Sequence, residues 1–280
     1  MAAIITLTTD LGLSDAYVAA MKGVILGINP EAKLVDICHT IQHQNIPQAA
    51  FVLSTAYPFF PRRTVHLVVV DPGVGTSRRA IILRTPSADF VAPDNGVLSY
   101  VVQESVAEPA KDDAVLQQIE LKRNMEAIAI TRPQFWHTPV SSTFHGRDIF
   151  APVAALLSLG FPPIDFGEAI SSVTVLPLPH PYPEPDGSLV GHVLHVDGFG
   201  NLITDIKGED LPQTEWSVTI EVGGQRISGL SHTYAEGGGL LALIGSNGYL
   251  EIAVKEGSAH ALLDAKIGDE VRIKRRSGSS

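Results

Sequence analysis

Short apolar runs alternate with amphipathic stretches along the first half of the chain. Three runs are short and rich in β-branched residues, and they predict buried strands: 4–10, 33–38 and 64–70. After Ser14 and Asp15, which suit a helix cap and a first-turn acid, apolar residues recur at helical spacing as far as Asn29-Pro30. A second helix is predicted over 47–57, with Pro47 in its first turn. Strands that alternate with helices favour a parallel sheet covered on both faces.

The same pattern continues beyond residue 70. The segments 80–85 and 90–93 predict further strands, and a helix is expected to open at Asn95-Gly96. Residues 106–142 are weakly patterned and predict a loop-rich excursion. Residues 147–160 have the spacing of a helix that is closed by Gly160 and Pro162.

The character of the chain changes at 176–188, where five prolines indicate a semi-rigid linker. Beyond it come short strand-like runs separated by turn signals, and no long helical pattern. The predicted class is α/β, with a mostly parallel central sheet in the N-terminal domain and a smaller, all-β, barrel-like C-terminal domain. The predicted boundaries are 1–178 for the first domain, 179–188 for the linker and 189–276 for the barrel.

Charge and cysteine content narrow the classes of function. The formal net charge of −10 disfavours nucleic acid as a partner, because neutralising phosphates requires a basic face. No apolar run approaches the length of a membrane span, and the first residues do not resemble a signal peptide. Cys38 is the only cysteine, so no internal disulfide and no cysteine zinc cluster is expected. A cytoplasmic protein without a membrane partner is the expectation.

The segment DPGVGTSRR, residues 71–79, follows the third predicted strand. It does not match a phosphate-binding P-loop, and it lacks the third glycine of a dinucleotide fingerprint. Gly73 and Gly75 supply the backbone freedom for a sharp return that would bring Arg78 over Asp71. From this segment alone, a structural ion pair beside a turn and a catalytic charge pair are equally supported.

Two further segments carry polar residues at the ends of predicted elements. Asp10 ends the first strand, where an aspartate can accept both hydroxyls of a ribose, although a turn or cap role is favoured from this segment alone. His145 precedes the helix that starts near residue 147, and Ser142 or Thr143 is a candidate helix cap. A structural role is favoured for His145 when it is considered alone.

The predicted barrel contains a third polar cluster, DGFGN, at residues 197–201. Phe199 can stack on an aromatic ring and Asn201 can hydrogen-bond a base edge, while a tight β turn explains the same letters equally well. The segment 245–253 predicts a hairpin turn. His39 and His43 are spaced like metal ligands, but no third ligand lies nearby, so no metal site is expected.

Seven motifs in a fixed order are far more specific than any one of them. These are TTDLGLSDAYV, MKG, VVDPGVGTSRR, APDNGVLS, FHGRDIFAPVAA, DGFGNLITDI and GSNGYLEIA. Together they resemble the S-adenosyl-L-methionine (SAM) hydroxide adenosyltransferase family, the adenosine-forming SAM hydrolases related to fluorinase and chlorinase. The resemblance extends from Ile4 to about Ile273 and matches the middle excursion least.

The resemblance implies a homotrimer in which SAM lies between the N-terminal domain of one subunit and the barrel of its neighbour. It implies a catalytic set of Asp71, Arg78 and His145, and no cofactor, because SAM is the substrate. It also implies a set of substrate-binding residues: Asp10 for the ribose; Asp15 and Asp197 for the methionine; Phe199 and Asn201 for the adenine; and Ser246, Glu251 and Val254 for the rest of the pocket.

The expected activity is the hydrolysis of SAM to adenosine and L-methionine by in-line attack of an activated water on the ribose C5′. The halogenase branch replaces the Asp71 position with an aromatic hydroxyl residue and lacks a histidine at the His145 position, whereas this chain has both. A SAM-dependent halogenase and a non-catalytic SAM- or adenosine-binding protein are the alternatives. Which of Asp71, Arg78 and His145 activates the water stays open at this point, since an arginine beside Asp71 would make the carboxylate a weaker base.

Overall fold

The computed structural model describes residues 2–103, 116–211, 218–236 and 238–275. The chain divides into two compact units, 1–178 and 179–280. Within the described ranges, no helix has both the length and the apolar character needed to cross a membrane.

In its described residues, the first unit contains nine strands and four α-helices. Its strands are β1 (Ile4–Thr9), β2 (Lys33–Cys38), β3 (Thr64–Val69), β4 (Ala80–Arg84), β5 (Ala88–Pro93), β6 (Gln117–Glu120), β7 (Glu126–Ile130), β8 (Gly167–Ile170) and β9 (Ser172–Val175). Its helices are α1 (Tyr17–Ile28), α2 (Ile46–Ala56), α3 (Ser99–Gln103) and α4 (Ala151–Ser158). A π-helical turn, Gly146–Phe150, leads directly into α4.

Seven of these strands form one sheet in the order β2-β1-β3-β5-β4-β7-β8. The pairs β1–β2, β1–β3 and β3–β5 are parallel, whereas β4 and β8 each run opposite to their neighbours. Five strands therefore point in one direction, which confirms the predicted α/β class, although the sheet is mixed. Thr9 pairs with Val69, so β1 and β3 end at the same edge of the sheet.

The central strands of the sheet are buried on both faces, as their apolar sequence predicts. Successive residues of β3 point to opposite sides: Leu67 belongs to the core beneath α1 and α4, and Val68 to the core beneath α2 and α3. All six residues of β3 are buried. This central strand carries no solvated face, so its end is held firmly where the loop beginning at Asp71 leaves it.

His66 is a titratable group inside this core. Its ring is fully buried and stacks on Phe90, and its Nδ1 lies 2.8 Å from the hydroxyl of Thr6. Burial lowers the pKa of His66 from 6.5 to about 4. The folded protein therefore holds a neutral imidazole at pH values where the unfolded chain would already be protonated.

This difference predicts acid destabilisation. The free energy of unfolding should fall by about 2 kcal/mol between pH 7 and pH 5 through His66 alone, because the unfolded state binds an additional proton over that range. Urea unfolding at the two pH values measures the effect, and His66→Phe should remove it. The exposed His43 provides the control, since His43→Gln should keep the wild-type pH dependence. An unchanged pH dependence in His66→Phe would contradict the assignment.

Two helix starts differ from the prediction. Helix α1 begins at Tyr17, and its cap residue Ala16 makes no side-chain hydrogen bond, so neither Ser14 nor Asp15 caps it. Helix α3 begins at Ser99 rather than at Asn95-Gly96. Asn95 instead folds its side-chain oxygen onto the N–H of Val97, a local bond that competes with helix formation.

The predicted loop-rich excursion over 106–142 is wrong in part. It contains β6, which pairs with β9, and β7, which lies inside the large sheet between β4 and β8. Four of the five residues of β7 are buried, but a run this short has too few positions to show a clear period. Residues 106–115 of the excursion lie outside the described residues.

The second unit, as far as it is described, is an antiparallel sheet with one short α-helix. Its strands are β10 (Tyr182–Pro183), β11 (Leu189–Val196), β12 (Leu202–Lys207), β13 (Val218–Val222), β14 (Gln225–Ser228), β15 (Leu240–Ile244), β16 (Tyr249–Val254) and β17 (Glu270–Arg275), and its helix is α5 (Ala259–Leu263). The order is β14-β13-β17-β11-β12-β16-β15, with β10 on β11, and the end strands β14 and β15 contact each other. This nearly closed sheet confirms the predicted barrel-like class.

Candidate active site

The loop between β3 and β4 folds an arginine back onto an aspartate. Asp71 comes just after β3, and Arg78 lies seven residues further on, two residues before β4. Arg78 donates from Nε to Oδ1 of Asp71 at 2.8 Å, and its Nη2 donates to Oδ2. Both side chains are largely buried, with 6% of Asp71 and 12% of Arg78 exposed. The two parallel hydrogen bonds fix the plane of the guanidinium relative to the carboxylate.

Gly75 allows this loop to contact a distant segment. Its φ is +77°, a conformation that favours glycine. A Cβ at this position would lie 2.5 Å from the backbone oxygen of Ser142. The loop after β3 therefore packs directly against the segment that leads to His145.

His145 completes the cluster. Its Nδ1 lies 2.9 Å from Nη2 of Arg78. Because a guanidinium only donates, Nδ1 must be the acceptor, and the neutral ring then carries its proton on Nε2. Burial is the main cause that lowers the pKa of His145, and the positive charge of Arg78 adds to it against the opposing effect of Asp71 and Asp148. His145 is therefore held in its neutral form near pH 7.

A proline explains the π-helical turn that follows His145. Pro152 lies in the first turn of α4 and has no N–H to donate to the carbonyl of Asp148. That carbonyl instead accepts from the backbone N–H of His137 at 2.8 Å. The N–H of Ala151 reaches back to the oxygen of Gly146, five residues earlier, which is the π-helical pattern.

The side chain of Asp148 anchors the loop that precedes His145. It is fully buried and accepts from the N–H of Ser141 at 2.8 Å and from the guanidinium of Arg147 at 2.6 Å. Burial opposes ionisation, but these hydrogen bonds outweigh it and lower the pKa of Asp148. Neither Ser142 nor Thr143 caps the helix, as either was predicted to do, because the residue at the cap position is His145 itself.

Asp10 lies at the same sheet edge as Asp71, one strand away. Its Oδ2 accepts from the backbone N–H of Gln44 at 2.7 Å. Asp15 is exposed in the loop before α1. Asp10 therefore lies at the edge formed by the carboxyl ends of the parallel strands, where ligands bind in open α/β sheets. Asp15 faces solvent.

Asn95 supports the Asp71 loop, a role that its place in the sequence does not indicate. Its side-chain N–H donates to the carbonyl of Val70 at 2.9 Å, while its side-chain oxygen accepts from Val97. Asn95 thus fixes the backbone immediately before Asp71. The Asx-turn signature of Asp94-Asn95-Gly96 was the available signal, but it indicates a turn without indicating which strand the side chain would support.

In the second unit, the cluster 197–201 forms the turn between β11 and β12. Oδ1 of Asp197 accepts from the backbone N–H groups of Phe199 and Asn201 at 2.8 and 2.9 Å, and its Oδ2 accepts from the side chain of Asn201. Phe199 is 83% exposed, whereas Asn201 is buried. The turn interpretation is therefore correct, and the turn also presents an aromatic ring to solvent.

Glu251 lies on β16 opposite Ile203 of β12, close to this turn. The hydroxyl of Tyr234, a residue that the sequence analysis missed, donates to Oε1 of Glu251 at 2.5 Å. Burial raises the pKa of Glu251, and Asp197 adds to the effect against the opposing hydrogen bond from Tyr234. Ser246 is exposed in the turn before β16, and Val254, at the end of β16, is partly buried.

Comparison with known families identifies the chain. Residues 5–167 match the N-terminal domain of SAM hydroxide adenosyltransferase, and residues 191–272 match its C-terminal domain. The chain belongs to the SAM hydroxide adenosyltransferase family. The N-terminal match contains Asp10, Asp71, Arg78 and His145, and the C-terminal match contains the turn at 197–201 and strand β16.

Individual relatives cover nearly the whole chain. A protein of Salinispora tropica named (R)-S-adenosyl-L-methionine hydrolase is 38% identical over 273 residues, which cover 96% of this chain and 97% of that protein. A fluorinase of Nocardia brasiliensis is 28% identical and covers 97% of this chain and 96% of its own length. The crystal structure of an uncharacterised conserved protein from Thermotoga maritima has a TM-score of 0.84 and 39% identity, covering 97% of this chain and 100% of that one.

Among the residues that the structure describes, no group of three or more His, Cys, Asp or Glu side chains is arranged to hold a metal ion. His39, one of the two histidines with metal-like spacing, is buried and contacts Thr9 and Asp36 instead.

Proposed function

We propose that this protein hydrolyses S-adenosyl-L-methionine to adenosine and L-methionine. The observation that carries the proposal is the partly buried cluster of Asp71, Arg78 and His145 at the carboxyl end of the central strand. A structural ion pair would require only the first two residues. The histidine, placed on the guanidinium by a separate loop, makes the cluster suitable for holding a water molecule.

In the hydrolysis of SAM, the step that needs help from the protein is the attack by the weak nucleophile, water. The sulfonium leaves as the neutral thioether of methionine, so the leaving group needs no general acid. Water attacks the ribose C5′ opposite the sulfur, the C–S bond breaks as the C–O bond forms, and one proton is lost to solvent. The site must therefore align the water at about 3–3.5 Å from C5′ and stabilise its developing hydroxide character.

The hydrogen bonds divide this work among the three residues. The lone pair of His145 on Nδ1 is engaged by Arg78, so the ring offers a donor, Nε2–H, rather than a base. Arg78 uses Nε and Nη2 toward its two partners, which leaves the Nη1 donors for the oxygen nucleophile. Asp71 is the only anion of the three, and each of its oxygens retains a second lone pair that can take the proton from water. Arg78 and His145 thus stabilise the hydroxide, and Asp71 accepts the proton.

We assign the remaining contacts by the family resemblance. Asp10 accepts the ribose hydroxyls, with Oδ2 already oriented by the N–H of Gln44. The other assigned residues are Asp15 and Asp197 for the methionine end, Phe199 and Asn201 for the adenine, and Ser246, Glu251 and Val254 for the pocket wall. Phe199 suits stacking because its ring is exposed, and Asn201 suits hydrogen bonding because Asp197 fixes its side chain.

No cofactor or metal ion takes part in the proposed reaction, because the sulfonium already activates C5′. Dialysis against a chelator is expected to leave turnover unchanged. If the chelator abolished turnover and added Mg²⁺ or Zn²⁺ restored it, this part of the proposal would be contradicted.

One product assay tests the activity. The protein is incubated with SAM and chloride in ¹⁸O-labelled water. The nucleosides are then separated, and their masses are measured by mass spectrometry. Adenosine that carries the solvent oxygen at its 5′ position is expected. A 5′-halogenated nucleoside would instead assign the protein to halide transfer, and binding without any product would make it a SAM sensor.

The pH dependence of kcat follows from the state of His145. Its pKa lies below the usual 6.5, and protonation would place a second donor against Arg78. The rate should be constant at neutral and higher pH and fall in acid as the ring becomes protonated. The variant His145→Gln keeps an amide donor near the Nε2 position but has no titrating group there. Its kcat should be lower than that of the wild type and should not show the fall in acid. An identical acid limb in the variant would exclude His145 as its source.

We also propose that the active form is a homotrimer, with each site shared by the first unit of one subunit and the barrel of the next. The 71% exposure of Leu13 and 83% exposure of Phe199 support a partner on both units. Light scattering should give three times the mass of one chain. Mixed trimers of Asp71→Ala and Asn201→Ala subunits should regain activity that either variant lacks alone. We place the protein in the cytoplasm on the basis of its single cysteine.

A further inference from the structure

We infer that Thr9 and His39 are positioning residues that fix Asp10 for a ribose diol and so set the preference for ribose over 2′-deoxyribose. The inference rests on the proposed function, because that function assigns the ribose to Asp10. It concerns two side chains that are not expected to touch the substrate.

The contact joins the ends of two neighbouring strands. Oγ1 of Thr9, the last residue of β1, lies 2.8 Å from Nδ1 of His39, which directly follows β2. Nε2 of His39 lies 3.0 Å from Oδ1 of Asp36. Thr9 is fully buried and only 4% of His39 is exposed, so water does not compete for the hydrogen bond between these two side chains.

The neighbouring groups determine the tautomer of His39. Its Nε2 makes no hydrogen bond of regular geometry, but it lies beside the negative carboxylate of Asp36, which favours the ring proton on Nε2 and leaves Nδ1 to accept from the hydroxyl of Thr9. The oxygen of Thr9 in turn accepts from the N–H of Leu11 at 3.3 Å. At the other end, Nζ of Lys22 donates to Oδ2 of Asp36 at 2.7 Å. These contacts connect the surface ion pair to the backbone beside Asp10.

His39 also holds the far side of the same turn. Its carbonyl accepts from the N–H of Gly12 at 2.8 Å. Asp10 is therefore restrained before its position through Thr9 and after its position through Leu11 and Gly12. With Oδ2 on the N–H of Gln44, its Oδ1 has no partner among the described residues and is available to a ligand hydroxyl.

This arrangement makes Thr9 a site where loss of one hydroxyl should loosen Asp10. Without its donor, the buried Nδ1 of His39 is unsatisfied, and the ring or the turn must shift to compensate. Asp10 would then hold two vicinal hydroxyls less well, whereas contacts to a single hydroxyl would suffer less. The expected change is thus in discrimination between sugars rather than in overall folding.

The experiment compares Thr9→Val with Thr9→Ser and uses SAM and S-(2′-deoxyadenosyl)-L-methionine as paired substrates. The ratio of their kcat/KM values should fall about tenfold in Thr9→Val, the effect of one hydrogen bond, and stay within about twofold of wild type in Thr9→Ser. Thr8→Val is the matched control. Thr8 is also fully buried on β1, but its hydroxyl has no partner among the described residues, so this variant should keep the ratio.

A second pair of variants tests His39. Asparagine can place an oxygen near the Nδ1 position, whereas glutamine reaches the Nε2 position, so His39→Asn should retain more of the substrate ratio than His39→Gln. The inference would be overturned if Thr9→Val lowered kcat/KM equally for both substrates and so left their ratio unchanged. If the wild type released no adenosine, the proposed activity would fail. Calorimetric affinities for the two ligands would then give the ratio and still decide the role of Thr9.

Discussion

Asp71→Ala is expected to lower kcat for adenosine formation by about 10³-fold while SAM binding changes less than about threefold. The carboxylate that takes the proton from water is removed, and the guanidinium of Arg78 loses the two bonds that fix its plane. Most contacts assigned to the substrate are made elsewhere, so binding should persist. Single-turnover product formation and isothermal titration with SAM measure the two quantities separately.

The first unit contains a matched control for this variant. Arg84 donates to Asp89 from Nε at 2.7 Å and from Nη2 at 2.8 Å, the same bidentate geometry at another position. Asp89→Ala removes an equivalent ion pair at the other end of β4 and should leave kcat within about threefold of wild type. Wild-type turnover in Asp71→Ala, or an equal loss in both variants, would show that the Asp71 pair serves only stability.

Arg78→Lys should lower kcat by about 10²–10³-fold even though the charge is conserved. An ammonium cannot donate along two parallel directions to Asp71 and also reach Nδ1 of His145. The hydroxide would lose the donors on Nη1, and the histidine would lose its fixed orientation. Steady-state kinetics with SAM gives the loss directly.

A second readout separates this effect from a general loss of structure. The guanidinium lowers the pKa of His145 and Asp71 raises it, so Arg78→Met should raise that pKa. NMR titration of the ring detects the change in a folded variant. Arg84→Lys is the matched control and should alter neither kcat nor the titration. An unchanged pKa in Arg78→Met would mean that the two side chains do not interact in solution.

The fold was predictable where a segment has enough residues for its apolar pattern to show that it is buried. Strand β3 is apolar throughout because both faces of the central sheet are covered, and this makes it easy to recognise. Strand β7 is also central, but it has five residues and follows a weakly patterned stretch, so its place in the sheet depends on pairing with distant strands. Such pairing is a tertiary effect that local composition does not encode.

The candidate site was likewise predictable from the sequence only in part. The return of Arg78 onto Asp71 was predictable because only six residues, two of them glycines, separate the two side chains in the sequence. The contact of His145 with Arg78 joins residues 67 positions apart, and only the ordered motifs suggested it. Asn95, Thr9 and His39 were missed as supporting residues because each acts through a backbone or side-chain partner on another element.

The π-helical turn at Gly146–Phe150 links the orientation of His145 to the start of α4. Because Pro152 has no N–H for the carbonyl of Asp148, the segment cannot relax to regular α-helical geometry while that proline is present. Relaxation would change the rotation of His145 relative to α4 and move its ring with respect to Arg78. The orientation of His145 therefore depends on a proline seven residues further along the chain.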